Sequence, residues 1–160
     1  MGHNGSGQQE EQLLWVRESK LVCVVGTISF CEHLRIMVDV GWKTMDNAGI
    51  GWVMYSDIGE VIFTARRSIR AESALQAEGL GIYEVLLWAV DRGFRHLEVS
   101  SDCILLIFNL AGIQKPHQHL ADVLNDIHAL ASSFHWLAFS FIHRSFNKIA
   151  HDLACEAMAT

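Results

Sequence analysis

The chain is predicted to fold as an α/β domain, a mixed five-stranded sheet with helices on both faces. An apolar run at Leu34–Val40 is followed by two strand-like segments joined by a tight turn, which reads as a meander. Helical stretches then alternate with two short strands, giving the order β-β-β-α-β-α-α-β-α. The composition, 51% hydrophobic and 19% charged over 160 residues, is that of a globular chain sized for one core.

The elements follow in chain order. Met1–Gln12 is rich in Gly, Gln and Glu and reads as a flexible terminus. Gly2 and Ser6 also match the short pattern M-G-x-x-x-S that can direct myristoylation; so common a pattern leaves the plain tail preferred. Between Leu13 and His33 apolar clusters show no clean period, so 1–33 is assigned as tail and lead-in, and 34–160 as the domain. Leu34–Val40 is a buried strand by type. Ala48–Ser56 and Glu60–Arg66 are β-branched and aromatic strands around the turn Asp57-Ile58-Gly59. Ser73–Asp91 has helical periodicity, with Ser73 as N-cap and Gly93 as the stop. His96–Ser101 is a short strand, and Asp102–Leu110 a helix ending near Gly112. Pro116 opens a helix to about Ser133, Trp136–Ile142 is a strand, and Asn147–Met158 is a closing helix.

Charge and cysteine content exclude several classes. A net charge of -6 is the wrong sign for holding nucleic acid by bulk electrostatics, so any such contact is local or metal-bridged. Cys23, Cys31, Cys103 and Cys155 form no C-x-x-C pair and match no zinc spacing. His117 and His119 flank the start of a helix beside Pro116 and read as solvated polar residues rather than ligands. The apolar stretch Leu21–Phe30 is too short to span a bilayer, which takes roughly twenty residues, and no basic region precedes it. The expectation is a monomer in an intracellular compartment, nuclear or cytoplasmic, with reduced thiols and no secretion.

Three carboxylates break the local apolar logic. Asp39 ends the run Ile36-Met37-Val38; a buried carboxylate costs roughly several kcal/mol unless paired or bound to a cation. The alternative is a frayed strand with Asp39 opening a turn. Projected at about 100° per residue, Glu78 lies on one stripe with Ile82, Val85, Leu86 and Ala89, opposite Glu84 and Asp91. It therefore faces the sheet, unless it is only a first-turn acid favoured by the helix dipole. Gly79 and Gly81 flank this region and imply close packing. Asp102 follows a strand and opens a helix, where it is either an N-cap or a third member of the set. With the first and fourth strands adjacent, all three converge on one edge. Clustered carboxylates repel unless cations neutralise them, and hard divalent cations prefer oxygen. A two-metal carboxylate site suits in-line phosphodiester hydrolysis.

The motifs VDVGWK (Val38–Lys43), AGIGWVMYSDIGEV (Ala48–Val61), SALQAEGLGIYEVLLWA (Ser73–Ala89), VSSDC (Val99–Cys103) and HRSFNKIAHDLA (His143–Ala154) occur in order. Together they resemble the ribonuclease H superfamily, and within it the plant ribonuclease-H-like, retroelement-derived reverse-transcriptase-like domains. The resemblance spans about Leu34–Ala157. It implies a ribonuclease H-like fold, an endonuclease acting on RNA in RNA–DNA hybrids, and Mg²⁺ or Mn²⁺ as cofactor at a two-metal site. Asp39 would be the first acid, Glu78 the second within A-E, and Asp102 the third within S-D. The fourth acid normally follows N-x-x-A; here Asn147-Lys148-Ile149-Ala150 leads to His151, and Asp152 comes one helical step late.

The fourth metal ligand is thus His151 or is missing, the alternative for His151 being a plain helix-surface histidine. Imidazole is a softer, neutral donor, which implies attenuated or Mn²⁺-favoured activity. Arg144 and Asn147 fit the R-x-x-N spacing and are candidates for substrate contact, Arg144 through a phosphate or as a loop cap. His143 occupies a position where such domains often carry proline and is not assigned the mobile-histidine role of the family. The basic protrusion of some relatives has no counterpart, since Lys115 is the one Lys or Arg between Gly112 and Leu120. Trp42 is a candidate to pack on a sugar, or is a buried tryptophan.

Two functions follow. One is the hybrid-cutting endonuclease, reading the wide minor groove through backbone and 2′-hydroxyl contacts. The other is a weak or inactive module for binding nucleic acid or protein, which the acidic balance and His151 favour. Exonuclease relatives place D-x-E on the first strand, whereas Asp39-Val40-Gly41 lacks the glutamate; in integrase-like relatives the glutamate follows both aspartates, whereas Glu78 precedes Asp102.

Overall fold

In a computed structural model, residues 13–17, 20–26, 34–116 and 118–159 are described. The sheet carries β1 (Leu13–Arg17), β2 (Lys20–Gly26), β3 (Leu34–Thr44), β4 (Asn47–Tyr55), β5 (Val61–Ile69), β6 (His96–Ser101) and β7 (Trp136–Phe141). The helices are α1 (Ala74–Asp91), α2 (Ile104–Leu110), α3 (Gln118–Ala131) and α4 (Lys148–Ala159). The strand order is β1-β2-β7-β6-β3-β4-β5. The five expected strands are present in the expected sequence. The sheet is nevertheless wider than expected: β1 and β2 pair antiparallel with each other, and β2 with β7. Their runs LLWVR and KLVCVVG lack the two-residue alternation that marks a half-buried strand. Met1–Gln12, with its Gly2/Ser6 pattern, and His117 lie outside the described residues.

The meander β3-β4-β5 is antiparallel, with the β4–β5 turn closed by Gly59 N–H donating to the Ser56 carbonyl at 3.0 Å. The crossover β3–β6 and the pair β6–β7 are parallel. Strand alternation then sorts the side chains. Ile36, Val38, Ile50, Leu97, Val99, Leu137 and Phe139 face α1–α3 and are buried with Ile82, Leu86, Leu106, Leu120 and Ile127. Each such side chain contributes roughly 1.5–3 kcal/mol of burial. Helix α1 begins as expected, with the Ser73 side chain accepting from Gln76 N–H, and Gly93 follows it at φ 82.

Two glycine positions set how near the helices come. A Cβ on Gly81 would sit 2.6 Å from Val40 Cγ2, so α1 rests directly on β3. On the other face, a Cβ on Gly51 would sit 2.6 Å from Leu153 Cβ and from Ala154 N, and Gly49 is similarly covered by α4. Helices therefore cover both faces, as expected. None of the described helices is long and apolar enough to cross a membrane.

Candidate active site

Register brings the first and third acids together. Val38 on β3 pairs with Ser101, the last residue of β6, in a parallel ladder. The next residues along the two strands are Asp39 and Asp102, so they stand side by side where β6 ends. Asp102 is not consumed as a cap: α2 starts at Ile104 behind Cys103, with no side-chain capping bond. Glu78 arrives from α1, one turn before Gly81, whose contact with β3 holds that helix down on the strand. Ligand oxygens of Asp39, Glu78 and Asp102 all lie within 4.8 Å of one another.

The electrostatics of this trio are unfavourable as it stands. Burial pushes the Asp39 carboxyl above its usual range, and the Asp102 charge adds to the rise; a hydrogen bond from His151 partly offsets both. Burial pushes Glu78 up further, with the charges of Asp39 and Asp102 adding. Desolvation, then the Glu78 charge, raises the Cys103 thiol to about 11. An all-oxygen donor set that resists its own ionisation fits a hard divalent cation, whose charge relieves both causes at once.

The helix α4 supplies the rest of the wall. His151 Nδ1 lies 2.8 Å from Asp39 Oδ2, and Asp39 is only 5% exposed. The expected fourth ligand thus stands as a hydrogen-bond partner of the first acid, and it is not part of the three-acid group. The nitrogen nearest the acids is already occupied by that carboxylate. Asp152 points elsewhere and pairs with Lys148 at 3.2 Å. Asn147, expected at the substrate, is instead 1% exposed and donates from Nδ2 to the Val38 carbonyl at 2.9 Å. It ties the start of α4 to β3 one residue before Asp39. Trp42 is half-buried and spends Nε1 on the Ala71 carbonyl at 3.0 Å. His143 accepts from Ser145 N–H at 3.2 Å and caps the 3-10 turn Arg144–Phe146. Arg144 is exposed, and with Asp102, Ser145, Lys148 and His151 it lines a cleft of about 250 Å³. His119 Nε2 lies 3.5 Å from a Glu72 carboxylate oxygen with both side chains exposed, in keeping with a solvated residue. Sequence reasoning missed the Asp39–His151 bond and the Asn147–Val38 tie. Both join residues more than a hundred positions apart, and no local pattern announces them.

Residues 37–157 match a family model described as reverse transcriptase-like. The chain belongs to this ribonuclease H-like family. Solved structures agree with the ribonuclease H fold. A ribonuclease H1 from the halophilic archaeon Halobacterium salinarum NRC-1 superposes with a TM-score of 0.73 at 24% identity, covering 79% of this chain and 98% of that one. The N-terminal RNase H domain of a Mycobacterium tuberculosis protein gives 0.71 at 27% identity, covering 81% and 95%. LC11-RNase H1, from compost and solved in complex with RNA/DNA hybrid, gives 0.72 at 22% identity, covering 79% and 96%. No curated protein matches the sequence. In this ribonuclease H-like domain the acidic trio occupies the end of the central strand pair β3–β6, where open α/β sheets gather functional groups.

Proposed function

We propose that the chain is a metal-dependent endonuclease that hydrolyses the RNA strand of RNA–DNA hybrids. The observation that carries this reading is the convergence of Asp39, Glu78 and Asp102 within 4.8 Å. These three carboxylates would hold Mg²⁺ or Mn²⁺, which when bound supplies an activated water and charge stabilisation for phosphodiester hydrolysis. His151, from α4, orients Asp39 through its hydrogen bond to Oδ2. Arg144, at the open cleft beside Asp102, is placed for a backbone phosphate of the substrate. With Nε1 engaged at Ala71, Trp42 has only its ring face left for a sugar. The hybrid complex of LC11-RNase H1, on the same fold, supports the substrate class. The setting proposed for this chain is the intracellular one, nuclear or cytoplasmic, in which its cysteines stay reduced.

The acidic balance of the chain and a histidine in place of the fourth acid favour a second reading, a weak or inactive binding module. Cleavage of a labelled hybrid by the wild type and by Asp39→Asn separates the two. Metal-dependent RNA cutting that Asp39→Asn lowers at least about a hundredfold supports the nuclease. No cutting by the wild type, with no Mg²⁺ or Mn²⁺ binding in calorimetry, overturns it in favour of the module.

A further inference from the structure

The cleft beside the acids carries a second cation. Arg144 and Lys148 both line it together with Asp102, in a volume of about 250 Å³. Drug-sized ligands take roughly 300–1,000 Å³, so this space suits one sugar–phosphate unit of a longer strand. Cations are scarce on a chain of net charge -6, and several are spent: Arg66 on Glu156, Arg67 on Glu84 and Arg70 on Asp46. Arg144 makes no ion pair among the described residues. Lys148 makes one, and loosely. Its side chain is 80% exposed, and Nζ donates to Asp152 Oδ2 at 3.2 Å one turn along α4. An exposed pair of this kind holds weakly. This one also stands in the weaker order, base before acid, with the ammonium in the first helical turn, where the dipole favours anions. A phosphate at that point satisfies both the dipole and the lysine.

We propose that Lys148 is a phosphate-gripping residue of the substrate cleft, that it acts with Arg144 on the nucleic-acid backbone next to the acids, and that Asp152 holds its ammonium while no strand is bound. The role rests on the nucleic-acid reading of the site. The acidic trio repels a polyanion, so grip beside it has to come from these two side chains and from the cations the trio would hold. Asp152 is the intramolecular competitor: the ammonium exchanges its carboxylate for a phosphate oxygen as the strand enters, and no covalent bond changes. The aspartate one helical step past His151 thus restrains affinity instead of ligating metal.

The test is a double-mutant cycle on binding, read by fluorescence anisotropy of a labelled RNA–DNA hybrid with the full chain in Ca²⁺, which neutralises oxygen donors, at several salt concentrations. Lys148→Gln is expected to weaken binding about three- to tenfold and to reduce the salt slope by about one. Asp152→Asn is expected to tighten it roughly twofold or more, and to do nothing in the Lys148→Gln background. A general charge effect would instead tighten both backgrounds alike. Under cleavage conditions Lys148→Gln is expected to raise KM by the same factor with kcat within about twofold. Circular dichroism of each variant confirms that it is folded. An unchanged affinity and salt slope in Lys148→Gln, equal tightening by Asp152→Asn in both backgrounds, or no hybrid binding by the wild type would overturn the role of Lys148. Binding that follows the cycle without any RNA cutting would uphold it and refute the nuclease instead.

Discussion

The His151 imidazole and the Asp39 carboxylate meet at 2.8 Å, joining the last helix to the central strand across 112 residues. In a four-acid site this place would hold another carboxylate, so the charge available to a divalent cation is lower by one.

That deficit predicts the metal preference. Manganese tolerates a less anionic, partly nitrogen environment better than magnesium. Hybrid cleavage is expected to run faster in Mn²⁺ than in Mg²⁺, and His151→Asp to raise the Mg²⁺ rate by roughly tenfold or more. Initial rates in each metal check this; equal wild-type rates in the two would refute it.

The carboxyl of Glu78 predicts a pH-dependent stability of the metal-free protein. Burial holds it well above the usual carboxylate range in the folded state, and the charges of Asp39 and Asp102 add to the rise. A group of this sign contributes stability that is fully present below the unfolded value and is lost as pH rises through the folded one. Glu78→Gln removes that loss. With like charges about 5 Å apart at an effective dielectric near 20, the gain at neutral pH is on the order of 1–3 kcal/mol. Urea unfolding of both proteins at several pH values measures it, and identical pH slopes would count against the clustered-acid picture.

Cations acting on the same trio stabilise the fold by mass action. Mg²⁺ or Mn²⁺ at a hundred times its dissociation constant is expected to add about 2.7 kcal/mol, and chelator to remove it. Asp102→Asn should shrink that increment to a fraction of the wild-type value. Thermal melts with and without metal decide the matter.

Gly51 predicts a packing cost. An alanine methyl there would meet Leu153 Cβ and Ala154 N at 2.6 Å, both on the helix that carries His151. Gly51→Ala is expected to cost about 1–3 kcal/mol and to move α4 off β4. Cleavage should fall along with stability, since the Asp39–His151 bond depends on that seat. A variant as stable as wild type would contradict the tight contact.

Much of this architecture was legible from local pattern. Three acids in apolar surroundings stood out because burial of charge is costly, and the stripe of Ile82, Val85, Leu86 and Ala89 gave Glu78 its direction. The meander and the alternating segments supplied the order of five strands. The strands β1 and β2 escaped notice because their apolar runs carry no alternation. The true post of Asn147 was invisible for another reason: its partner is the Val38 backbone carbonyl, and a carbonyl leaves no trace in residue type. Gly49 and Gly51 did carry a signal, two bare positions on one face of a strand, which the strand-like flanks obscured.

The seating of α4 on those bare positions has a consequence for folding order. Asp39, Glu78 and Asp102 all precede in the chain the helix that shields Gly49 and Gly51, so they leave the ribosome before it. A nascent chain halted between them owns its acids but shows a naked strip of β4 to its surroundings. That strip is aggregation-prone surface during the interval, and the exposure ends when Ala150, Ala154 and Ala157 close over it.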